Sequence, residues 1–262
     1  MVDVHPSALV DSRAELADGV RIGAYTIIGP DVRIGARTTI ASHCVIEGHT
    51  RIGQDNRVWQ FCSLGANPQD KKYAAEPTEL HIGDRNTVRE FCTFNRGTAQ
   101  DRGVTSLGDD NWMMAYVHLA HDCQVGDRTI FANNAQIAGH VHVGDWVILG
   151  AYTCVHQFVH MGAHSMTAMG TVLLQDLPPF VTASGNTASA HGVNSEGLKR
   201  RQFSPERLAT IKTMHRALYR QGHTIEQARA AIAALALTPG EAADDVGLML
   251  DFLTQATRGI VR

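Results

Sequence analysis

Two histidines and an aspartate lie close together in the stretch H-L-A-H-D-C-Q-V-G, as His118, His121 and Asp122. Imidazole titrates near neutral pH, so a histidine can take a proton from a hydroxyl while a carboxylate orients its ring. Histidine and aspartate are also metal ligands, and on a regular scaffold they can simply face solvent. The same residues could therefore be a catalytic base with its acid, a metal site or solvated surface. Their position in the fold is needed to distinguish these interpretations.

The composition excludes several classes of protein. The chain has 262 residues and a formal net charge of -3, so no overall basicity favours nucleic acid or an anionic membrane as a partner. Its five cysteines form no C-x-x-C pair, which indicates a reduced, cytoplasmic protein rather than a disulfide framework. The N-terminus lacks the features of a signal peptide, and no apolar stretch is long enough to span a membrane.

Aliphatic residues recur at every sixth position in the first part of the chain. The series is Val4, Val10, Leu16, Ile22, Ile28, Ile34, Ile40, Ile46, Ile52, Val58 and Leu64. Period six fits neither one α-helix nor one plain strand. It predicts short strands joined by tight corners, each strand pointing one aliphatic side chain inward. Near 66–80 and 95–106 the series is interrupted, and we interpret these segments as loops that leave the scaffold.

A longer period lies over the short one. The similar turns L-G-D-D-N, V-G-D-R-T and V-G-D-W-V begin 18 residues apart, at 107, 125 and 143. Three strands per coil give a triangular prism, so residues 1–186 are predicted to form a parallel β-helix. We expect glycine to supply positive φ and close approach at the corners, where Asp and Asn also tolerate left-handed conformations. Residues 187–262 instead show helical spacing, with Ser204 as an N-cap before Pro205, and are predicted to form a small helical domain.

Placing the opening stretch on this prism produces a polar stripe across three coils. The stripe consists of His121, Asp122, His140, His156 and Gln157. Gly139 falls one coil beyond His121, where its backbone N–H would be open. Three interpretations remain at this point: solvated surface, a zinc site made by the histidines, or acyl transfer with a histidine base and a backbone oxyanion donor.

Several motifs resemble the UDP-N-acetylglucosamine 3-O-acyltransferases, the family that begins lipid A synthesis. They are A-H-D-C-Q-V-G, A-N-N-A-Q-I-A-G-H-V-H-V-G-D, G-A-Y-T-C-V-H-Q-F, P-Q-D-K-K-Y-A-A-E-P-T and N-S-E-G-L-K-R-R. The likeness covers essentially the whole chain, and the P-Q-D-K-K-Y loop together with E-G-L-K-R-R is its specific part. It implies a left-handed β-helix, an all-β fold followed by a small C-terminal helical domain.

The resemblance also implies a reaction and its partners. A (3R)-hydroxyacyl group would move from acyl carrier protein to the 3-hydroxyl of UDP-N-acetylglucosamine, in a cytoplasmic homotrimer with sites between subunits. No metal or bound cofactor is expected, because phosphopantetheine arrives on the carrier protein. No nucleic acid partner and no membrane-spanning segment are expected.

Residue roles follow from the same resemblance. His121 would be the general base, Asp122 would orient it, and the Gly139 N–H would hold the oxyanion. The residues implied to line the site or contact substrate are His118, His140, His156, Gln157, Asp70 and Lys72. Those implied to contact the nucleotide, from a neighbouring subunit, are Asn194, Glu196, Arg200 and Arg201. Without the resemblance, the charged loop and the K-R-R run would be interpreted as solvated surface.

Two positions depart from the pattern of the family. Many relatives have histidine where this chain has Asn95, so either a histidine there is dispensable or the local contact differs. Met169 falls where long-chain relatives have glycine at the end of the acyl groove. Its side chain would shorten that groove, which predicts 3-hydroxydecanoyl rather than 3-hydroxymyristoyl transfer. The alternative is that Met169 fills the core, a common use of methionine.

Three other functions compete with this acyl transfer. The related N-acyltransferase of the same pathway normally has an N-terminal uridine-binding domain, and a repeat starting at Val4 leaves no room for one. A zinc hydratase of the carbonic anhydrase type would use the histidines as ligands. A noncatalytic scaffold would have no use for a clustered His–Asp stripe.

Overall fold

The computed structural model describes residues 1–235, 242–256 and 258–262. The strands of its first half are β1 Asp3–Val4, β2 Leu9–Val10, β3 Glu15–Leu16, β4 Arg21–Ile22, β5 Ile27–Ile28, β6 Arg33–Ile34, β7 Thr39–Ile40, β8 Val45–Ile46, β9 His49–Ile52, β10 Arg57–Val58, β11 Ser63–Ala66, β12 Glu79–Ile82, β13 Thr87–Val88 and β14 Thr93–Asn95. Those that follow are β15 Val104–Leu107, β16 Trp112–Met113, β17 His118–Leu119, β18 Gln124–Val125, β19 Ile130–Phe131, β20 Gln136–Ile137, β21 His142–Val143, β22 Ile148–Leu149, β23 Cys154–Val155, β24 His160–Met161, β25 Met166–Thr167, β26 Val172–Leu173, β27 Val181–Ser184 and β28 Ser189–Val193. The helices are α1 Ser195–Arg200, α2 Pro205–Tyr219, α3 Ile225–Leu235 and α4 Ala243–Gln255.

Successive strands join three parallel sheets in rotation, which makes a triangular prism. The first sheet runs from β1 through β4 and β7 to β25, the second from β2 through β5 to β26, and the third from β3 through β6 to β24. Neighbouring strands within the repeat from residue 107 pair 18 residues apart, as Gln136 does with Cys154. The predicted left-handed parallel β-helix is confirmed. We number its corners by the sheets they connect: the first corner joins the first and second sheets, the second corner joins the second and third, and the third corner returns to the first.

The sixfold series forms the core, as predicted. Ile28, Ile34, Leu64, Leu119 and Phe131 are all at most 1% exposed. Val4 is an exception at 39% exposed, because the terminal coil has no further coil stacked above it. The period of the sequence therefore predicts burial wherever a coil has neighbours on both sides.

The corners differ from the expectation in one respect. Glycines such as Gly108 are needed because a Cβ there would lie 2.8 Å from the Gly126 carbonyl oxygen of the next coil. The left-handed backbone, however, falls two residues later, on Asp110, Arg128 and Trp146 at φ near 60°. Close approach therefore requires the glycine, as predicted, but the left-handed conformation at these corners falls on residues of several types, so the prediction that glycine would also supply the positive φ here was wrong.

Both predicted loops leave the prism, but each is shorter than predicted. The first loop is residues 67–78 and the second loop is residues 96–103. Strands β12 and β15 are four residues long and pair Glu79 with Val104, so the ends of the predicted segments belong to the third sheet. The Arg96 guanidinium joins the loops by donating to the Tyr73 hydroxyl at 2.9 Å and to the Asn67 side chain.

The helices pack on the C-terminal end of the prism. Ser204 caps α2, its hydroxyl accepting from the Arg207 N–H, with Pro205 at the first position as predicted. The helical core contains Met214, Ile232 and Phe180. The boundary predicted near residue 186 falls in the turn between β27 and β28 and stays a prediction. The helical pattern beginning at 239 has its first three residues outside the described part, and its described helix is α4. None of the helices in the described residues has both the length and the apolar character that crossing a bilayer requires.

Candidate active site

The opening stretch occupies the second corner, between β17 and β18. His121 Nδ1 lies 2.9 Å from Asp122 Oδ2, and the Asp122 side chain is fully buried. Asp122 has a left-handed backbone at φ 60°, which turns its carboxylate back toward the ring of its neighbour. An ionised carboxylate only accepts, so Nδ1 carries the proton and Nε2 is left with the lone pair. The sequence-predicted pair is therefore brought together with the geometry of a base and its orienting acid.

The second loop holds the carboxylate in place. The Thr98 backbone N–H donates to Asp122 Oδ1 at 2.9 Å, and the Thr98 hydroxyl donates to Oδ2 at 2.7 Å. Burial acts to raise the pKa of Asp122, but hydrogen bonds from His121 and Thr98 outweigh it and hold that pKa below its usual value. Asp122 therefore stays ionised at neutral pH, as a partner for an imidazolium must.

His140 lies one coil beyond Asp122, as the 18-residue period predicts. Its ring stacks on Phe158 with centroids 4.4 Å apart and meets the His121 ring edge-on at 5.0 Å. Ligand atoms of His121, Asp122 and His140 all lie within 4.8 Å of one another, so this group could hold a metal ion. Geometry alone therefore leaves both the metal and the acid–base interpretations open.

Gly139 lies directly against the ring of His121. A Cβ at this position would lie 2.6 Å from Cε1 and 2.8 Å from Nε2 of His121, so a side chain would displace the ring. In the described residues, the Gly139 N–H donates to no protein acceptor, while the next N–H along, that of His140, donates to the His121 carbonyl at 3.0 Å. The glycine thus leaves both room for the ring and an open backbone donor beside it.

His156 and Gln157 complete the stripe, and His118 lies beside it. His118 faces outward on β17, where Nδ1 lies 2.7 Å from the Thr93 hydroxyl, and burial lowers the pKa of His118. His156 and Gln157 follow two coils beyond His121 and are exposed. All three lie on the second sheet or the second corner, on the same side of the prism as His121 and His140.

The first loop contains the predicted Asp70 and Lys72. The Lys72 backbone N–H donates to Asp70 Oδ1 at 2.9 Å, while the Lys72 side chain is exposed. Through Tyr73 and Arg96 this loop is connected to the second loop, which in turn holds Asp122. The two loops therefore form one connected structure beside the second corner.

The four predicted nucleotide contacts lie elsewhere. Arg201 donates to the Trp146 carbonyl at 2.9 Å and Nη1 lies 3.0 Å from His164 Nδ1, which places it at the third corner. Asn194 is 5% exposed and caps α1, accepting from the Gly197 N–H and donating to the His164 carbonyl. Glu196 and Arg200 are exposed on α1, where Glu196 pairs with Lys199 at 2.8 Å. Within one chain these residues are not brought to the stripe.

The two departures also have clear positions. Met169 lies at the first corner and is 74% exposed, so it does not fill the core of this chain. Asn95 is 4% exposed; its amide donates to the Asn67 carbonyl at 3.1 Å, and its Oδ1 has no partner within the described residues. Asn95 therefore helps to anchor the first loop.

The sequence reasoning missed Thr98 and Asp101. Thr98 binds Asp122, and Asp101 Oδ2 lies 2.6 Å from His140 Nδ1. Both are in the second loop, which was interpreted only as an excursion. The one available signal was a threonine and an aspartate in a loop that leaves and rejoins the scaffold beside the stripe.

Comparisons with known proteins distinguish the metal, acid–base and solvated-surface interpretations of the stripe. The profile of the family described as Udp N-acetylglucosamine O-acyltransferase, domain 2, matches residues 176–261, and the bacterial transferase hexapeptide profile matches 13–48 and 105–139. The acyl-[acyl-carrier-protein]–UDP-N-acetylglucosamine O-acyltransferase of Albidiferax ferrireducens is 64% identical over all of both chains. The chain belongs to the UDP-N-acetylglucosamine O-acyltransferase family.

Solved structures of UDP-N-acetylglucosamine O-acyltransferases agree with this fold. LpxA from Acinetobacter baumannii superimposes with a TM-score of 0.95, at 44% identity and with 99% of each chain covered. The UDP-N-acetylglucosamine acyltransferase of Francisella novicida gives 0.95 at 37% identity, covering 99% of this chain and 94% of that one. Among the interpretations of the stripe, membership in this family favours acyl transfer over a zinc hydratase or a scaffold.

Proposed function

We propose that the protein transfers a (3R)-hydroxyacyl group from acyl carrier protein to the 3-hydroxyl of UDP-N-acetylglucosamine, the first step of lipid A biosynthesis. The name of the 64% identical relative supports the two substrates. The observation that carries the mechanism is the His121–Asp122 pair at 2.9 Å, with the free Gly139 N–H against the same ring.

The geometry supports the following steps. His121 Nε2 removes the proton from the sugar 3-hydroxyl, whose oxygen attacks the thioester carbonyl carbon. The Gly139 N–H donates to the oxyanion of the tetrahedral intermediate. The carbon–sulfur bond then breaks, the ester carbonyl forms again, and His121 returns the proton to the departing thiolate. Asp122 remains ionised and stabilises the imidazolium between the two proton transfers.

The proposed reaction needs no metal and no bound cofactor, since the phosphopantetheine thiol belongs to the carrier protein. We place it in the cytoplasm, which is consistent with four buried free thiols, Cys44, Cys62, Cys92 and Cys123. Metal analysis of purified protein checks the first point. Activity that requires stoichiometric zinc and is abolished by a chelator would contradict it.

The direct test is an acyl-transfer assay with (3R)-hydroxydecanoyl carrier protein and UDP-N-acetylglucosamine. We expect an ester on the 3-hydroxyl, identified by mass spectrometry and NMR of the product. A matched reaction with UDP-glucosamine, which offers a free 2-amine, separates ester from amide formation. No ester with any acyl length from C10 to C14 would refute the proposed function.

The active unit is proposed to be a homotrimer. The nucleotide-binding candidates Glu196 and Arg200 lie on α1, which ends next to Arg201 at the third corner, so a complete site needs them from another copy. A stacked aromatic ridge of Phe61, Phe91 and Tyr116 runs along the first corner, with stacked ring centroids 5.1 and 4.8 Å apart. Trp112 beside it is 44% exposed. Contiguous exposed aromatic surface of this kind is typical of a subunit interface.

Replacing Trp112 by arginine is expected to weaken trimer assembly and activity together, because a buried unpaired charge opposes association. Size-exclusion chromatography with light scattering should give about three times 28.4 kDa for the wild type and a smaller mass for the variant at micromolar concentration. Leu248→Arg, at an exposed leucine on α4, is the matched control and should stay trimeric. A fully active trimer of the Trp112 variant would contradict this use of the ridge.

Acyl length is proposed to be set by Met169, whose exposed side chain stands at the first corner. The wild type is then expected to prefer the 3-hydroxydecanoyl donor over the 3-hydroxymyristoyl donor. Met169→Gly removes the side chain from the end of the groove and should shift the ratio of kcat/KM toward the longer donor by about tenfold or more, since the buried methylenes contribute additively. Competition between the two donors in one tube measures this ratio. Equal or reversed preference in the wild type would end the idea.

A further inference from the structure

The carboxylate of Asp101 reaches across from the second loop to the stripe. Its Oδ2 lies 2.6 Å from Nδ1 of His140, a residue 39 positions away in the chain. The side chain of His140 is 15% exposed and that of Asp101 is 33% exposed, so the pair is partly shielded from water. Charge-assisted hydrogen bonds of this length are among the stronger ones in proteins.

The second loop presents Asp101 in a fixed position. The Thr98 carbonyl accepts from the N–H groups of Asp101 at 3.3 Å and Gly103 at 3.1 Å, which closes a tight turn. Thr98 is itself held by Asp122, and the Gly97 N–H donates to the Glu79 carbonyl at 3.1 Å. The carboxylate is therefore positioned by backbone contacts, and its approach to His140 is not that of a free side chain.

The ring of His140 is also fixed. Phe158 lies parallel to it, with 9° between the planes, and His121 lies across its edge at 88°. Asp101 accepts at Nδ1, so the proton of the neutral ring sits on Nδ1 and Nε2 is left as an acceptor. Stacking thus sets the plane of the ring, and Asp101 sets which nitrogen can accept a hydrogen bond.

We propose that Asp101 is a positioning residue that fixes His140 with Nε2 as acceptor for the sugar hydroxyl next to the one that reacts. This inference rests on the proposed function. The reacting hydroxyl lies against His121, and the ring of His140 is centred 5.0 Å from that of His121, a spacing that suits a neighbouring hydroxyl on the same sugar. Asp101 acts through His140 and does not itself contact substrate.

The kinetic test uses Asp101→Ala and Asp101→Asn. Asp101→Ala should weaken one hydrogen bond to substrate that is present in both the ground state and the transition state. Its loss should raise KM for UDP-N-acetylglucosamine about tenfold, with kcat changed less than about twofold. Asp101→Asn retains an acceptor oxygen and should recover most of that loss. Gln100→Ala, at the exposed neighbouring residue, is the matched control for the loop and should behave as wild type.

A double-mutant cycle separates positioning from anchoring of the loop. If Asp101 acts only through His140, Asp101→Ala should add less than about a twofold effect in a His140→Ala background, because the partner is already gone. If Asp101 merely holds the second loop, the two losses should multiply. Multiplying losses, or an unchanged KM in Asp101→Ala, would overturn the proposal.

A spectroscopic measurement on the full protein without substrate makes the outcomes distinguishable. In protein labelled with ¹⁵N-histidine, the ring signals of His140 are those missing from His140→Ala. They should report the Nδ1–H tautomer in the wild type and lose that pattern in Asp101→Ala. An unchanged tautomer refutes the role of Asp101 while leaving acyl transfer intact. Absence of acyl transfer in the wild type refutes the proposed function without changing the tautomer result.

Discussion

Replacing His121 by alanine should lower kcat by about a thousandfold, within the range that removal of a general base produces. The variant retains Gly139 and the rest of the stripe, so UDP-N-acetylglucosamine should still bind, with a dissociation constant within a few-fold of wild type. Its fold should be unchanged, because the ring is 16% exposed at a corner and takes no part in the core. Single-turnover kinetics with the hydroxydecanoyl donor measure the chemical step directly.

The matched control is His142→Gln, a histidine on the third sheet that faces outward from β21 and forms no part of the His121–Asp122 pair. Full activity in the control and near-complete loss in His121→Ala would identify the base by position rather than by residue type. A His121→Ala enzyme with more than about a tenth of the wild-type rate would remove His121 from the mechanism, since general-base losses are larger than that.

The second large effect on catalysis is expected from adding one methyl group at Gly139. Gly139→Ala should lower kcat about a hundredfold, because its Cβ would lie 2.6 Å from Cε1 of His121 and must push the ring out of line. The ring cannot move freely, since Asp122 holds Nδ1 and His140 lies across its edge. Gly139 does not have a left-handed backbone, so alanine fits the conformation and the melting temperature should change little.

Gly247→Ala is the control for this substitution. A Cβ at Gly247 meets nothing within 4 Å, and the residue lies within α4, so alanine there should leave the rate unchanged. It should also raise stability by about 0.5–1 kcal/mol, the usual gain for this change inside a helix. Wild-type activity in Gly139→Ala would show that the His121 ring does not occupy the described position during catalysis.

The prism could be predicted from sequence because its physical rule repeats. Each inward position, such as Ile34 or Ile137, needs a buried aliphatic side chain, as does its counterpart one coil away. The same sequence pattern therefore recurs in every coil. The column relationships that place His140 beyond Asp122 and Gly139 beyond His121 follow from that same period. The helical cap at Ser204 was also predictable, because its hydrogen bond is local to four residues.

The contacts of the loops could not be predicted in this way. Thr98 meets Asp122 across 24 residues and Asp101 meets His140 across 39, and both depend on the path of a loop with no period. The same applies to Arg201, whose chemistry suggests phosphate but whose guanidinium is occupied by Trp146 and His164. A residue type indicates what a side chain can bind, but the fold determines which partner lies within contact distance of it.

The regular stacking of coils has a consequence for how acyl length could change during evolution. Neighbouring coils are about 4.8 Å apart, and an extended hydrocarbon advances about 1.25 Å per carbon, given its bond lengths and angles. One coil therefore corresponds to about four carbons, the difference between a decanoyl and a myristoyl chain. In a groove along the prism axis, moving an obstructing side chain by one coil would therefore change the length of the transferred acyl chain by about four carbons.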